Sequence, residues 1–122
     1  MTKLLIVEDD PYVLKLFQRL FGFEKYQVQS ARDGEEASEK LKYFQPDLIL
    51  LDIMMPKMNG LQLLQKLKSD EATKAIPVVM LSNDDDDQTI KTATDLGASG
   101  YMIKSDFTPD QVLKQVRGYL GL

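Results

Sequence analysis

The segment "DLILLDIMMPKMNG", Asp47 to Gly60, places a carboxylate directly after a continuous apolar run. The run, Leu48–Leu51, has the pattern of a short strand buried on both faces of a parallel sheet, and it ends at Asp52. Ionised carboxylates are almost never fully buried unless they are paired or bound to a metal. Asp52 is therefore expected to lie beside groups that compensate its charge.

Apolar runs and amphipathic segments alternate on both sides of this strand. Such alternation predicts a doubly wound α/β domain, with a five-stranded parallel sheet and helices on both of its faces. The predicted pairs of strand and helix are Lys3–Val7 with Tyr12–Phe21, Tyr26–Ser30 with Glu35–Phe44, Leu48–Leu51 with Leu61–Leu67, Val78–Leu81 with Gln88–Leu96, and Gly100–Ile103 with Asp110–Leu120. Gly22 is expected to separate two elements, and Asp10 to cap the first helix before Pro11.

Composition excludes several classes of function. A chain of 122 residues with 43% hydrophobic residues fits one domain with a real core. It contains no cysteine and no histidine, so any metal must be held by oxygen and no phosphohistidine can form on this chain. The net charge of -4, with 15 scattered Lys and Arg residues, predicts no direct binding of nucleic acid. An acidic N-terminal segment and the lack of a long apolar run predict a cytoplasmic protein without membrane contact.

Acidic side chains follow the first and third predicted strands. Ligands of open parallel sheets bind beyond the carboxyl ends of the strands, where the strand order reverses. If these two strands are neighbours, Glu8, Asp9 and Asp52 converge, and like charges at short range raise a pKa or recruit a cation. A ligand set made only of oxygen suits a hard ion such as Mg²⁺. For any single acid, a solvated position at a strand end is the alternative.

Two further polar residues, Ser82 and Lys104, follow the fourth and fifth predicted strands. Alone, the lysine is typical of a side chain that reaches solvent, and the serine is typical of a turn or helix cap. Beside three acids, they supply an ammonium and a hydroxyl for phosphoryl oxygens. The set as a whole predicts phosphoryl transfer to a nucleophilic carboxylate.

Four segments, "LLIVEDD", "DLILLDIMMPKMNG", "IPVVMLS" and "GASGYMIK", have the order and spacing of known motifs. Together they resemble the receiver domains of two-component response regulators, across essentially the whole chain, 1–122. The resemblance implies a flavodoxin-like sheet of order 2-1-3-4-5. It implies Mg²⁺, with Mn²⁺ as an alternative, at Glu8, Asp9, Asp52 and the backbone carbonyl of Met54.

The same resemblance implies a signalling function in which Asp52 is phosphorylated by a sensor histidine kinase or a histidine phosphotransfer protein. Ser82 and Lys104 would contact the phosphoryl group, and Tyr101 would change rotamer on activation. The face formed by the fourth helix, fifth strand and fifth helix would then bind a downstream protein or output domain. The domain would catalyse only its own phosphorylation and slow dephosphorylation. The expected state is a monomer or a dimer that forms on phosphorylation, working alone or as the front of a longer regulator.

Departures from the family pattern lie beside the predicted site. Ser105 stands where the family usually has a proline in a cis bond, and Asn83 stands where it usually has alanine, so the Asn83 amide is expected to crowd or hydrogen-bond the phosphoryl site. Met54 and Asp84 flank the acyl phosphate, and the hypothesis is that Met54 hinders the attacking water while Asp84 orients it. The acidic run that begins at Asp84 and ends at Asp87 alternatively stabilises the N-terminus of the fourth helix.

The first predicted helix has more apolar residues than one face requires. Its expected core set is Val13, Leu16, Phe17 and Leu20. Leu14 and Phe21, seven residues apart, are then either part of a wide core face or a docking ridge for the helical bundle of a kinase.

Three other readings compete with a working receiver. Haloacid-dehalogenase-type phosphatases also use an aspartate after a buried strand, but their second acid lies two residues later, where this chain has Met54. A nucleotide-binding domain is disfavoured because the loop after the first strand is acidic and lacks a glycine-rich phosphate cradle. A degenerate receiver that only binds partners is disfavoured because the acids, the serine and the lysine are all present.

Overall fold

Five strands and five α-helices alternate along the chain in the computed structural model, which describes residues 1–122. The strands are β1 (Lys3–Val7), β2 (Gln27–Ala31), β3 (Leu48–Leu51), β4 (Val78–Ser82) and β5 (Gly100–Ile103). The helices are α1 (Pro11–Phe23), α2 (Gly34–Lys40), α3 (Gly60–Ser69), α4 (Asp87–Asp95) and α5 (Pro109–Tyr119), and a single 3-10 turn covers Lys104–Asp106. None of these helices has the length and apolar character needed to cross a membrane.

The five strands form one parallel sheet of order β2-β1-β3-β4-β5, which confirms the predicted doubly wound fold. The strand order reverses between β1 and β3, because β1 pairs with β2 on one side and with β3 on the other. Val7 pairs with Leu51, so the residues that follow these two strands emerge side by side. The reversal point, where ligands of such sheets bind, therefore lies next to Asp52.

The sheet is covered on both faces by separate apolar clusters. Leu5, Ile49 and Leu63 belong to one cluster, and Leu4, Phe17 and Val112 belong to the other. All four residues of β3 are buried, because alternate side chains of this central strand enter the two clusters. The strand that carries Asp52 at its end is thereby held from both sides.

Helix α1 is longer than predicted, because Gly22 lies inside it and does not end it. The helix ends at Phe23, and two residues later Lys25 has a left-handed φ of 64°. The Tyr26 N–H donates to the Phe21 carbonyl at 3.2 Å and the Lys25 N–H donates to the Gly22 carbonyl at 3.0 Å. These two bonds form a Schellman motif, in which lysine occupies the position that usually favours glycine. At the other end, Asp10 accepts the Tyr12 N–H at 2.9 Å, as predicted for a helix cap.

Helix α2 is shorter than predicted and ends at Lys40, so its expected extension to Phe44 is wrong. The following residues form turns, in which the Tyr43 N–H donates to the Lys40 carbonyl three residues back. The change begins at Lys42, whose N–H donates to the Glu39 carbonyl at 3.2 Å, so that bonds to the third residue back replace the helical bonds to the fourth.

The buried side of α1 also differs from the prediction. Leu14, Phe17 and Phe21 are the buried residues of this helix, whereas Leu16 is 44% exposed. Spacings of three and four residues place the buried three on one stripe, and the Phe21 ring also packs 5.8 Å from the Tyr26 ring. The proposed docking ridge of Leu14 and Phe21 is therefore wrong, and these two residues belong to the core.

Candidate functional site

Three carboxylates meet at the carboxyl ends of β1 and β3. Glu8, Asp9 and Asp52 each offer an oxygen, and these atoms all lie within 4.8 Å of one another. Glu8 and Asp52 are buried, at 4% and 5% exposure, while Asp9 is exposed. The strand pairing holds them there, because the Asp52 N–H donates to the Val7 carbonyl at 3.0 Å. The convergence predicted from the sequence is confirmed.

Lys104 reaches into this acidic cluster from the end of β5. Its Nζ lies 2.6 Å from Glu8 Oε2 and 3.2 Å from Asp52 Oδ2. Burial lowers the pKa of Lys104, but the hydrogen bond to Glu8 and the charges of Asp52 and Glu8 outweigh it, so the pKa is raised overall. Burial raises the pKa of Glu8, and the charge of Asp52 adds to this effect against the opposing contact with Lys104. One ammonium thus only partly offsets three acids.

The backbone at Asp52 is packed closely against Gly60, the first residue of α3. A Cβ atom added to Gly60 would lie 2.1 Å from the Asp52 carbonyl oxygen and 2.7 Å from the Ile53 Cα. The Gly60 N–H donates to the Ile53 carbonyl at 2.9 Å, which closes the loop between β3 and α3. Within this loop the Met54 N–H donates to Asp52 Oδ1 at 3.3 Å. Only glycine allows helix α3 to begin this close to the end of β3.

Ser82 ends β4 with a fully buried side chain. Its Oγ accepts the Asp84 N–H at 3.2 Å, and the Tyr101 hydroxyl donates to the Asp84 carbonyl at 2.5 Å. Burial and the nearby charge of Asp84 raise the pKa of Tyr101 to about 12. The aromatic residue that the resemblance assigns to the switch therefore contacts the loop between β4 and α4 directly.

The two residues that depart from the family pattern contact each other. The Ser105 N–H donates to Asn83 Oδ1 at 3.0 Å. The chain contains no cis peptide bond, so the bond between Lys104 and Ser105 is trans. From the sequence, the Asn83 amide is expected to act at the phosphoryl site, whereas in the structure its side-chain oxygen accepts the Ser105 N–H. The sequence feature that points to this contact is that Asn83 follows Ser82 and Ser105 follows Lys104, two residues predicted to lie in the same site.

The acidic run before α4 acts in helix capping. Asp86 is the N-cap and its side chain accepts the Gln88 N–H at 3.1 Å, while Asp84 Oδ1 accepts the Asp86 N–H at 3.1 Å. This structural interpretation of the run is confirmed.

The position two residues after Asp52, where a haloacid-dehalogenase-type phosphatase has its second acid, holds Met54 with an exposed side chain. The phosphatase alternative is not favoured.

The chain is similar in sequence to known proteins. The family described as the response regulator receiver domain matches residues 4–117. The DNA-binding dual master transcriptional regulator RpaA of Synechocystis sp. is 38% identical over 120 residues, which are 98% of this chain and 49% of that protein. The chain thus spans about half the length of the curated relatives that it matches.

Solved structures agree with this match. A CheY-like response regulator receiver domain protein from Methanospirillum hungatei superposes with a TM-score of 0.91 at 26% identity, covering 99% of this chain and 94% of that one. The Mn(2+)-bound form of response regulator Rcp1 superposes with a TM-score of 0.84 at 28% identity, covering 97% and 91% of the two chains. With its acidic cluster at the strand-order reversal, the chain belongs to the receiver domains of two-component response regulators.

Proposed function

We propose that Asp52 accepts a phosphoryl group from the phosphohistidine of a sensor histidine kinase or a histidine phosphotransfer protein. Response regulators are signalling switches that partner with histidine kinases. The observation that carries the proposal is the meeting of Glu8, Asp9 and Asp52 with the Lys104 ammonium at one edge of the sheet. Asp52 is the member of this set that follows β3, the central strand of the sheet.

A divalent cation fits the acidic cluster. Glu8, Asp9 and Asp52 provide oxygen ligands only, which suits Mg²⁺, and the backbone carbonyl of Met54 is the proposed fourth protein ligand. Mn²⁺ is the alternative, and a Mn(2+)-bound form is known for the similar Rcp1. When bound, such a cation neutralises the negative charge that collects on the phosphoryl oxygens. The partial compensation of three acids by one lysine supports this assignment.

The residues of the chain supply the remaining chemistry. A carboxylate oxygen of Asp52 forms a bond to phosphorus while the phosphorus–nitrogen bond of the donor breaks, and the donor histidine keeps the electron pair. Lys104 then pairs with one phosphoryl oxygen, and the Ser82 hydroxyl donates to another. Water later hydrolyses the acyl phosphate, with Met54 limiting its approach and Asp84 orienting it. A Met54→Asn variant should therefore lose its phosphate faster than the natural chain.

The output follows from the loop between β4 and α4. Movement of Ser82 toward the phosphoryl group shifts this loop, whose Asp84 carbonyl is held by the Tyr101 hydroxyl. Tyr101 then repacks, which changes the face made by α4, β5 and α5 for a downstream protein or an output domain. RpaA is named as a DNA-binding regulator, whereas this chain alone is predicted not to bind nucleic acid. The cytoplasmic location and the monomer or phosphorylation-dependent dimer stay predictions.

Phosphorylation by a small donor tests the proposal. The protein is incubated with Mg²⁺ and acetyl phosphate, and its intact mass is measured over time. The natural chain should gain one phosphate, while Asp52→Asn should gain none. Asp106→Asn is the matched control, because it removes an exposed acid near the same edge and should be phosphorylated normally. Absence of the adduct in the natural chain, or continuous hydrolysis of phosphomonoesters, would contradict the proposal.

A further inference from the structure

A single side-chain hydrogen bond joins two loops of the site. Asn83 Oδ1 accepts the backbone N–H of Ser105 at 3.0 Å, between residues 22 apart in the chain. A backbone N–H can only donate, so the asparagine atom that faces it must be the carbonyl oxygen. The bond therefore needs a side chain with an acceptor at residue 83 and a residue other than proline at residue 105.

This bond lies just beyond the carboxyl ends of β4 and β5. The ladder between β4 and β5 ends with the pairing of Ser82 and Ile103. The bond between Asn83 and Ser105 joins the two segments just beyond the last paired residues of β4 and β5. Two loops that leave the sheet independently are thus held together just above its edge.

The bond also joins the residues that directly follow the two groups proposed to contact the phosphoryl oxygens. Asn83 directly follows Ser82, and Ser105 directly follows Lys104. The Lys104 ammonium is at the end of a long flexible stem, so its position depends on how firmly the backbone at its base is held. Asn83 is itself exposed, so its side chain makes no contribution to the core that would explain it.

We propose that Asn83 is a positioning residue for phosphoryl transfer, which ties the loop of Ser82 to the loop of Lys104. The hydroxyl and the ammonium then approach the phosphoryl group as one unit when the loop between β4 and α4 moves. This inference rests on the proposed function of Asp52. It assigns to Asn83 a role through Ser82 and Lys104, without contact with the reacting atoms.

Four single variants separate the hydrogen bond from side-chain bulk. Asn83→Leu keeps the size of the side chain and removes the acceptor, while Asn83→Asp keeps the acceptor. Ser105→Pro removes the donor N–H, while Ser105→Ala retains it. The rate of Asp52 phosphorylation by acetyl phosphate is measured at high ionic strength, which screens the added charge of Asn83→Asp.

Loss of one neutral hydrogen bond should slow phosphorylation about threefold to tenfold in Asn83→Leu and in Ser105→Pro. Asn83→Asp and Ser105→Ala should keep the rate of the natural chain. The double variant, Asn83→Leu with Ser105→Pro, should be no slower than either single variant, because both remove the same bond. The affinity for Mg²⁺, measured without a phosphate donor, should be unchanged, because Glu8, Asp9 and Asp52 are intact.

Two measurements distinguish failure of this inference from failure of the proposed function. Amide hydrogen exchange at Ser105 reports the bond without any phosphorylation, and it should be faster in Asn83→Leu than in Asn83→Asp. Unchanged phosphorylation rates in Asn83→Leu, or additive losses in the double variant, would overturn the positioning role. If the natural chain itself gains no phosphate, the proposed function fails and the exchange result still decides whether the bond forms.

Discussion

The buried Asp52 carboxylate lies beside one cation, Lys104, and one buried acid, Glu8. Removing a carboxylate from water is costly unless another group replaces the lost hydration, and Lys104 at 3.2 Å is the cationic neighbour that the chain provides. Glu8 shares the same ammonium at 2.6 Å, so the two acids compete for one partner. The result is a carboxylate that is held in place but incompletely neutralised, which favours binding of a cation.

At the residue scale, a side chain at position 60 is predicted to destabilise the folded chain. Gly60→Ala places a Cβ atom 2.1 Å from the backbone carbonyl oxygen of Asp52, the residue that directly follows β3. We expect a loss of about 1–3 kcal/mol in the free energy of unfolding, measured with urea, since overpacking forces the backbone to shift. Gly118→Ala is the matched control, because nothing lies within 4 Å of its added Cβ atom in α5. It should stabilise the helix by about 0.5–1 kcal/mol. Equal effects of the two variants would contradict the argument.

Tyr101 should make the stability of the protein sensitive to alkaline pH. Its pKa is raised from 10.0 to about 12 in the folded chain, so the folded state favours the neutral phenol. The contribution is fully present below pH 10.0 and is lost as the pH rises toward 12, because the unfolded chain ionises first. Urea unfolding at mildly and strongly alkaline pH should show a larger loss in the natural chain than in Tyr101→Phe. A parallel loss in both proteins would contradict the raised pKa.

At the scale of elements, helix α1 has one buried stripe and one exposed side. Leu14, Phe17 and Phe21 pack against the sheet, and Leu16 lies on the exposed side. Together with Phe107 and Pro109, Leu16 lines a cavity of about 160 Å³ that also borders Lys104. The exposed Leu16 side chain therefore lies beside a groove that borders Lys104, where the proposed phosphodonor protein would contact the chain.

A leucine-to-alanine change on the buried stripe should affect stability, whereas one on the exposed side should affect phosphotransfer. Leu14→Ala should lower the free energy of unfolding by about 2–5 kcal/mol, because it leaves a cavity in the core. Leu16→Ala should change stability by less than about 1 kcal/mol, because its side chain is already 44% exposed. It should slow phosphotransfer from a histidine kinase while leaving the rate with acetyl phosphate unchanged, since a small donor needs no protein contact. A normal rate with the kinase would count against docking on α1.

For the whole molecule, the sheet concentrates acidic charge at one edge. The parallel strands bring the ends of β1 and β3 together, and folding therefore forces Glu8, Asp9 and Asp52 into proximity that the unfolded chain avoids. A ligand that binds only the folded arrangement stabilises it by mass action.

Addition of Mg²⁺ should accordingly raise the midpoint of thermal unfolding. At a concentration one hundred times the dissociation constant, the expected gain is about 2.7 kcal/mol, and a chelator should reverse it. Asp9→Asn should lose most of this gain, while its stability without metal should equal or exceed that of the natural chain, because a repulsive charge is removed. An unchanged response of Asp9→Asn to Mg²⁺ would contradict the role of this acid.

Helix caps and one strand could be predicted from residues close together in the sequence. Asp10 before Pro11 caps α1, and Asp86 caps α4, because capping depends on residues only two or three positions away. Leu48–Leu51 forms β3 with the predicted bounds, since a run that is apolar on both faces has no stable exposed conformation. The end of α2 and the passage of α1 through Gly22 were not predictable, because helix ends are decided by small differences between competing backbone hydrogen bonds.

By itself, the sequence determined the alternation of strands and helices. The resemblance to receiver domains then implied the strand order that places Glu8, Asp9, Asp52, Ser82 and Lys104 at the carboxyl ends of the strands, and the structure has that order. Only the tertiary structure decided which stripe of α1 is buried, how Lys104 divides between Glu8 and Asp52, and that Asn83 binds Ser105. The reason is physical: periodicity follows from neighbours along the chain, whereas these contacts join side chains whose distance is set by the packing of the entire sheet.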